Sequence, residues 1–458
     1  MTRPPELLPP KPSPPKPGSR PDRVSFWRYI RLFRRDILSA QPARLYRAWM
    51  AEFRTPFFRS FLCNDPRLID LVLRERPDDF PKSNRIRAGL EPLLGHSVFV
   101  TNGEDWKRQR RIIDPAFEGG RLREVFPAIC DAARAAVARM EPGRVEVEEQ
   151  ASHAAADVIF RTLFSIPIEH QTAARVFHEF RAYQRTQPIL NLAAFVPLPR
   201  WFPRLHRRAT RRSAAVIRGL IADLCRDRAG AIASGVAPQD LATKIMQTPD
   251  PVTGKVFETG EMVDQVAIFF LAGHETSASA LAWGLYLLAT HPEVQERVAA
   301  EGDSLGDDPD FSALSRLKFT RDVFREVLRL YPPVPMMVRE NLCPEAFRGR
   351  AVRPGAQIVL SPWHLHRHER IWENPDGFDP ERWSRDETRA CAREAYLPFS
   401  AGPRVCTGAG FAMAEGVLLL AMLARAYRFR PVEGPEPVPV AHLTVRAKDG
   451  IPLRVERR

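Results

Sequence analysis

The chain has 458 residues, enough for about three average domains or one unusually large one. Its 44% hydrophobic and 27% charged content is that of an ordinary globular protein with a sizeable core, and six dispersed cysteines without a C-x-x-C spacing exclude a disulfide framework. The net charge of +13, mostly arginine, is spread along the chain and not gathered into a stripe with aromatics; this disfavours nucleic acid and leaves acidic proteins or anionic membrane surfaces as partners.

Residues 1–22 alternate proline with charge and predict a disordered or polyproline-like tail, with no apolar leader in it; residues 23–458 read as a single domain. Apolar residues recur at helical spacing from "VSFWRYIRLFRRDIL" onward, and "FFRSFLC" and "SVFVTNG" read as short β pieces. Helices are then predicted at "REVFPAICDAARAAVARM", "RRSAAVIRGLIADLCRDRAGAIAS" and "GEMVDQVAIFFLAGHETSASALAWGLYLLATHP". The last would run about 45 Å at 1.5 Å per residue, enough to cross a domain. Its "TSASALAWGLYLLAT" is too short and polar for a bilayer and reads as a buried helix, so no transmembrane segment and a cytoplasmic location are expected. Punctuation by glycine and proline becomes dense after Pro332, where "AQIVLSP" reads as a strand. The expected fold is mainly α, with a small β-rich part.

Several constellations carry chemistry. In "AGHETS", Gly273 precedes His274, Glu275 and Thr276 within an apolar helix. The pair His274-Glu275 opens an H-E-x-x-H zinc motif, but Ala278 stands where the second histidine is required. A buried carboxylate and hydroxyl are costly unless paired or used, which makes Glu275 and Thr276 candidate catalytic residues. A glycine at 273 would let a bulky group approach the helix backbone. In "FREVLRLYPPVP", Glu326 and Arg329 share one helix face, a spacing that alone reads as an exposed pair. "GEDWKRQRR" sets Trp106 and Arg110 one turn apart, and "FDPERW" adds Arg382.

The stretch "FSAGPRVCTGAG" is the most distinctive. Cys406 follows the Gly402-Pro403 turn and precedes a helical pattern, where orphan N–H groups favour a thiolate. A nucleophilic role lacks a neighbouring base, and the G-x-G at 408–410 lacks the third glycine of a dinucleotide loop. A solitary thiolate suits neither zinc nor an iron–sulfur cluster; it suits haem, whose ring supplies the other ligands.

Taken in order, "WKRQR", "AGHETS", "EVLR", "PERW" and "FSAGPRVCTG" resemble the cytochrome P-450 family of haem-thiolate monooxygenases over roughly residues 25–455. The resemblance implies haem b with Cys406 as its axial ligand, in a loop that also contains Phe399 and Gly408. It implies that Arg404, Arg110, Trp106 and Arg339 (in "PMMVRE") hold the propionates, and that Gly273 leaves a groove for O₂. Glu275 and Thr276 resemble the family's acid–alcohol pair, which organises protons for O–O cleavage. Glu326, Arg329 and Arg382 resemble its structural salt-bridge triad, with Trp383 where phenylalanine is common.

The resemblance further implies hydroxylation with electrons from NAD(P)H through a separate reductase and a ferredoxin or flavodoxin-type partner, since the chain ends soon after the thiolate segment. Lys107, Arg108 and Arg111 form a candidate docking cluster for an acidic ferredoxin. The apolar "ILNLAAFVPLPRWF" and basic "LHRRATRR" fall where the family has a lid. Substrate walls are expected from "IRAGLEPLLGHSVF", "AIFFLA", "PVPMMV" and "HLTVRAKDGIP", whose apolar character suits a fatty acid, a terpenoid or a similar lipophile. "EVLRLYPPVP" resembles fatty-acid and carotenoid hydroxylating branches. The other readings are a peroxide-driven or electron-independent haem-thiolate enzyme and, more distantly, a non-enzymatic haem sensor.

Overall fold

The longest apolar run in the sequence becomes the longest helix. In the structure, a computed structural model describing residues 13–55, 58–118, 120–186 and 208–458, the major helices are α1 (Phe26–Arg35), α2 (Asn84–Leu94), α3 (Gly103–Ile113), α4 (Arg121–Arg139), α5 (Val147–Phe164) and α6 (Gln171–Thr186). They continue with α7 (Arg208–Ala233), α8 (Thr259–Thr290), α9 (Pro292–Asp303), α10 (Lys318–Leu330) and α11 (Ala409–Ala426). Shorter turns are named by their residues.

Helix α8 starts where Glu258 and Glu261 cap each other's backbone, with Glu258 N donating to Glu261 Oε2 at 3.0 Å, and it stops before Pro292. It is apolar on all sides because α5, α7, α10 and α11 surround it. Close approach is possible where side chains are absent: a Cβ on Gly284 would lie 3.1 Å from Leu420 Cδ2. The ring of Trp283 stacks on Tyr331 at 4.1 Å in the middle of this core. Helix α11 is also long and apolar enough to cross a bilayer, with a mean hydropathy of 1.6 over 18 residues, but it packs against α4, α8, α9 and α10. Its composition reflects burial in protein.

The β part lies in small sheets. β1 (Met50–Arg54) and β2 (Arg59–Cys63) form a hairpin. β2 pairs in parallel with β7 (Gln357–Leu360), and β7 pairs antiparallel with β4 (Met337–Glu340). β3 (Gly143–Glu146), β11 (Pro452–Arg457) and β8 (Tyr427–Pro431) make a second sheet. β5 (Glu345–Phe347) with β6 (Arg350–Val352), and β9 (Pro439–Ala441) with β10 (Val445–Ala447), are hairpins. The expected helices and the strands in "FFRSFLC" and "AQIVLSP" are present.

Two expectations change. "SVFVTNG" is not a strand: Val100 N donates to Ser97 O at 2.9 Å in a turn, and Val98 N donates to Gln265 Oε1 at 2.9 Å. Its backbone groups are thus claimed by a tight turn and by α8. Of the expected disordered tail, residues 1–12 lie outside the described residues, but residues 13–22 run over the fold. Tyr331 Oη donates to Pro15 O at 2.9 Å, Lys16 pairs with Asp376 at 2.6 Å, and Pro14 and Pro17 are buried.

The Glu326–Arg329 pair is wholly internal. Arg329 Nη2 lies 2.8 Å from Glu326 Oε1, Arg382 Nε lies 3.0 Å from the same oxygen, and all three side chains are at most 2% exposed. The remaining guanidinium donors go to the carbonyls of His366, Glu373, Asn374, Pro375 and Gly377. Every charge is paired and hydrogen-bonded, which is what makes such burial tolerable.

Candidate active site

The loop before α11 is shaped by backbone conformations that few residues adopt. Ser400 and Gly402 have φ of +63° and +67°, and a Cβ at 402 would lie 1.8 Å from Leu73 O. Cys406 N donates to Phe399 O at 2.9 Å, and Gly408 caps α11. The Cys406 thiol is accessible yet ringed by protein. Burial pushes its pKa up, against the pull of the Gly408 N–H, Arg110 and Lys82. The helix-terminus effect expected to favour a thiolate is therefore outweighed by desolvation, and a bound metal would have to displace the proton.

Beside the thiol stands a group of cations. Arg404, in the same loop, donates to Thr101 O at 3.1 Å and Asn102 Oδ1 at 2.8 Å, and its guanidinium lies 4.1 Å from the Trp106 ring centroid. Arg110 on α3 donates to Val405 O at 2.8 Å and pairs with Asp114 at 2.9 Å. Arg339 on β4 is 4% exposed, and among the described residues its guanidinium has neither carboxylate nor carbonyl partner. Burial alone lowers its pKa to about 10. Arg404 falls to about 9, first through burial, then through Arg339. Lys82, whose Nζ donates to Phe99 O at 2.6 Å, is held well below its ordinary value by burial and by Arg339, Arg404 and Arg110. These cations work against one another; Asp114 pairs with Arg110, and Asp78 partly offsets the charge at Arg404.

On α8 the "AGHETS" residues point different ways. Thr276 Oγ1 donates to Ala272 O at 2.5 Å, and these two present the accessible face. Gly273 faces α5: its Cβ would lie 2.3 Å from Ile159 Cδ1, so the missing side chain serves helix packing there. His274 meets Ser152 Oγ at 2.8 Å and the Phe177 ring, and burial lowers its pKa to about 3, so it stays neutral. Glu275 is 8% exposed and turned toward the β9–β10 hairpin. Its Oε1 accepts from Thr444 Oγ1 at 2.5 Å and from Arg446, and its Oε2 accepts from Gln184 Nε2 at 3.2 Å.

A family model for cytochrome P-450 matches residues 54–453. The chain belongs to the cytochrome P-450 family. Cyclooctat-9-en-7-ol 5-monooxygenase of Streptomyces melanosporofaciens is 36% identical over 429 residues, covering 91% of this chain and 90% of that protein. Cyclooctatin synthase from the same organism is 31% identical, covering 81% and 80%. The crystal structure of the cytochrome P450DA haem domain aligns over 97% of both chains with a TM-score of 0.78 at 26% identity. The chain is thus a cytochrome P-450 monooxygenase with the mainly α fold of that family, and the family's cofactor is haem b.

The residues fit that cofactor. One accessible thiol, with no cluster of three or more metal-ligating side chains among the described residues, suits a metal that brings its own ring. A wall of Lys82, Arg110, Arg339 and Arg404 with too few carboxylates suits a group carrying two of them.

Lys107, Arg108 and Arg111 do not make a free patch. Lys107 lies 3.2 Å from Glu104, Arg108 2.6 Å from Glu261 and Arg111 2.5 Å from Asp250. The lid stretch "ILNLAAFVPLPRWF" and residues 205–207 lie outside the described residues, while residues 208–212 open α7. Of the expected substrate walls, Val98, Phe99 and Phe269 are partly buried, joined by Phe117, which packs 5.6 Å from Phe269 and 5.3 Å from Phe411. Sequence reading missed Lys82, Asn102, Thr444 and Arg446. The last two lie in "HLTVRAKDGIP", read only as a substrate wall: Thr444 is in the turn of the β9–β10 hairpin and Arg446 is on β10.

Proposed function

We propose that Cys406 supplies the axial thiolate to haem b, that Arg339, Arg404, Arg110, Lys82 and Trp106 hold its two propionates, and that the enzyme hydroxylates a lipophilic, terpenoid-class molecule. Haem b bound there supplies O₂ activation at the cost of two electrons and two protons. What supports the reading is one accessible thiol near Arg110 and Lys82, with the buried guanidinium of Arg339, across the bridge from Lys82, lacking a carboxylate partner among the described residues. Thr276 offers its hydroxyl on the accessible face of α8, fixed by the Ala272 carbonyl. Glu275 is kept from the apolar interior by Thr444, Arg446 and Gln184, and Arg446, 35% exposed, connects it to solvent. Protons would pass from solvent to Glu275 and on to Thr276. Electrons would come from NAD(P)H through a separate reductase and a ferredoxin or flavodoxin.

Apolar walls at Val98, Phe99, Phe117 and Phe269 favour a lipophile, and the two Streptomyces relatives carry names from cyclooctatin chemistry. A terpenoid alcohol added to the purified enzyme is expected to shift the Soret band to the blue, and polar sugars are expected to leave it unmoved. A shift with polar compounds and none with terpenoids or fatty acids would sink the substrate assignment.

Thr276→Ala is expected to consume NAD(P)H at close to the native rate while product per NAD(P)H falls on the order of 100-fold and peroxide accumulates. Tight coupling in that variant would remove the hydroxyl from the proton path. Arg339→Ala is expected to lose haem faster in a transfer assay to apomyoglobin. An unchanged rate would place the propionates elsewhere.

A further inference from the structure

Helix α1 buries one face and leaves another that the fold does not use. Phe26, Tyr29, Ile30 and Phe33 fall on one side; Tyr29 stacks on Phe53 at 6.4 Å, and Phe33 packs on the main core. At 100° per residue, Arg34, Trp27, Arg31, Arg35 and Arg28 fill the opposite arc in that angular order. Trp27 is 78% exposed within this arc, between Arg34 and Arg31. The helix contains no acidic residue, and among the described residues none of its four arginines forms an ion pair. Arginines elsewhere on the surface are paired with an acid, as Arg108 is with Glu261 and Arg111 with Asp250. Here the largest side chain available is held in water among four unneutralised guanidinium groups.

The position of α1 narrows the choice of partner. Asp36, just past its C-terminus, accepts from Ala441 N at 2.8 Å, and Ile37 N donates to Ala441 O at 3.0 Å. Ala441 belongs to the β9–β10 hairpin, the same hairpin that reaches Glu275 through Thr444 and Arg446. Thus α1 is anchored to the elements over α8, away from the Cys406 loop. A protein delivering electrons has no reason to sit there. An indole at headgroup depth flanked by guanidinium groups is, in contrast, the chemistry of a reversible bilayer contact.

We infer that the outward face of α1 docks this protein on an anionic lipid surface, with Trp27 entering the interface and Arg28, Arg31, Arg34 and Arg35 meeting lipid phosphates and carboxylates. This holds whatever the substrate is. If the lipophile of the proposed function is correct, the contact also places the α8 side of the enzyme against the phase in which that lipophile concentrates.

The test is co-sedimentation of the full-length haem-loaded protein with phosphatidylcholine vesicles, with and without phosphatidylserine. Binding is expected only with phosphatidylserine and is expected to fall with added salt. Each Arg→Gln change should weaken it about fivefold, and Arg28→Gln, Arg31→Gln, Arg34→Gln and Arg35→Gln together on the order of several hundredfold. Trp27→Ser should lower the partition coefficient and abolish quenching of tryptophan emission by brominated lipid. Unchanged Soret spectra and substrate-induced shifts in these exposed-site variants separate this outcome from failure of the haem or substrate assignments. Vesicle binding that survives the fourfold change, no binding to phosphatidylserine vesicles, or loss of ferredoxin-supported turnover in the fourfold variant without lipid would each overturn the inference. The last result would make the face a protein site.

Discussion

Cys406→Ala yields folded protein that lacks the red-shifted Soret band of the reduced carbon-monoxide complex and has no NAD(P)H-dependent product. The fold should persist because the loop is not built on the thiol. Cys406 contributes its backbone N–H to Phe399, Ser400 and Gly402 set the turns, and the side chain is accessible. Function should vanish because no other cysteine can substitute: Cys63, Cys130 and Cys225 are buried with their pKa values raised by desolvation, and Cys343 and Cys391 lie outside the loop. Thiolate donation tunes O–O cleavage in a way that nitrogen or water ligation does not. A variant that retained the red-shifted band would show that another group holds the iron.

The second large effect is on stability. Glu326→Ala is expected to destabilise the fold by about 3–5 kcal/mol, because it strands two buried guanidinium groups. Arg329 and Arg382 would keep their carbonyl partners but lose the only carboxylate they have among the described residues, at exposures of 0% and 2%. Asp379 N would also lose the Glu326 oxygen it donates to at 3.1 Å. The loss is read from the urea midpoint of the haem-loaded protein, compared with Glu381→Ala as an exposed control from the same segment. A loss below about 1 kcal/mol would mean that the carbonyls alone suffice for the two arginines.

Much of this was legible in the chain. The helical periodicity of α8 and the thiol loop before α11 were visible because their determinants are local. The Glu326–Arg329 spacing was also visible, but not its burial, which depends on Arg382 and the carbonyls at 373–377 arriving from another segment. Lys107, Arg108 and Arg111 looked like a free basic face because their acids come from elsewhere: Glu261 and Asp250 are some 140–150 residues away. Lys82 in "FPKSN" looks like any solvated lysine. Only the chain crossing that brings it opposite Arg339 across an isolated bridge reveals it. Gly273 was recognised as special for a groove, yet its neighbour Ile159 lies on a separate helix.

The contact between Gly402 and the Leu73 carbonyl joins the first sixth of the chain to its last eighth. During synthesis Leu73 emerges long before the loop that rests on it, so the contact forms only once residues beyond 406 have left the ribosome. Until then the nascent polypeptide offers scattered cations and no place for the pigment to settle. If Cys406 holds the haem as proposed, capture of the prosthetic group is among the final events of biogenesis, when most of the helices that precede the loop have already had time to form.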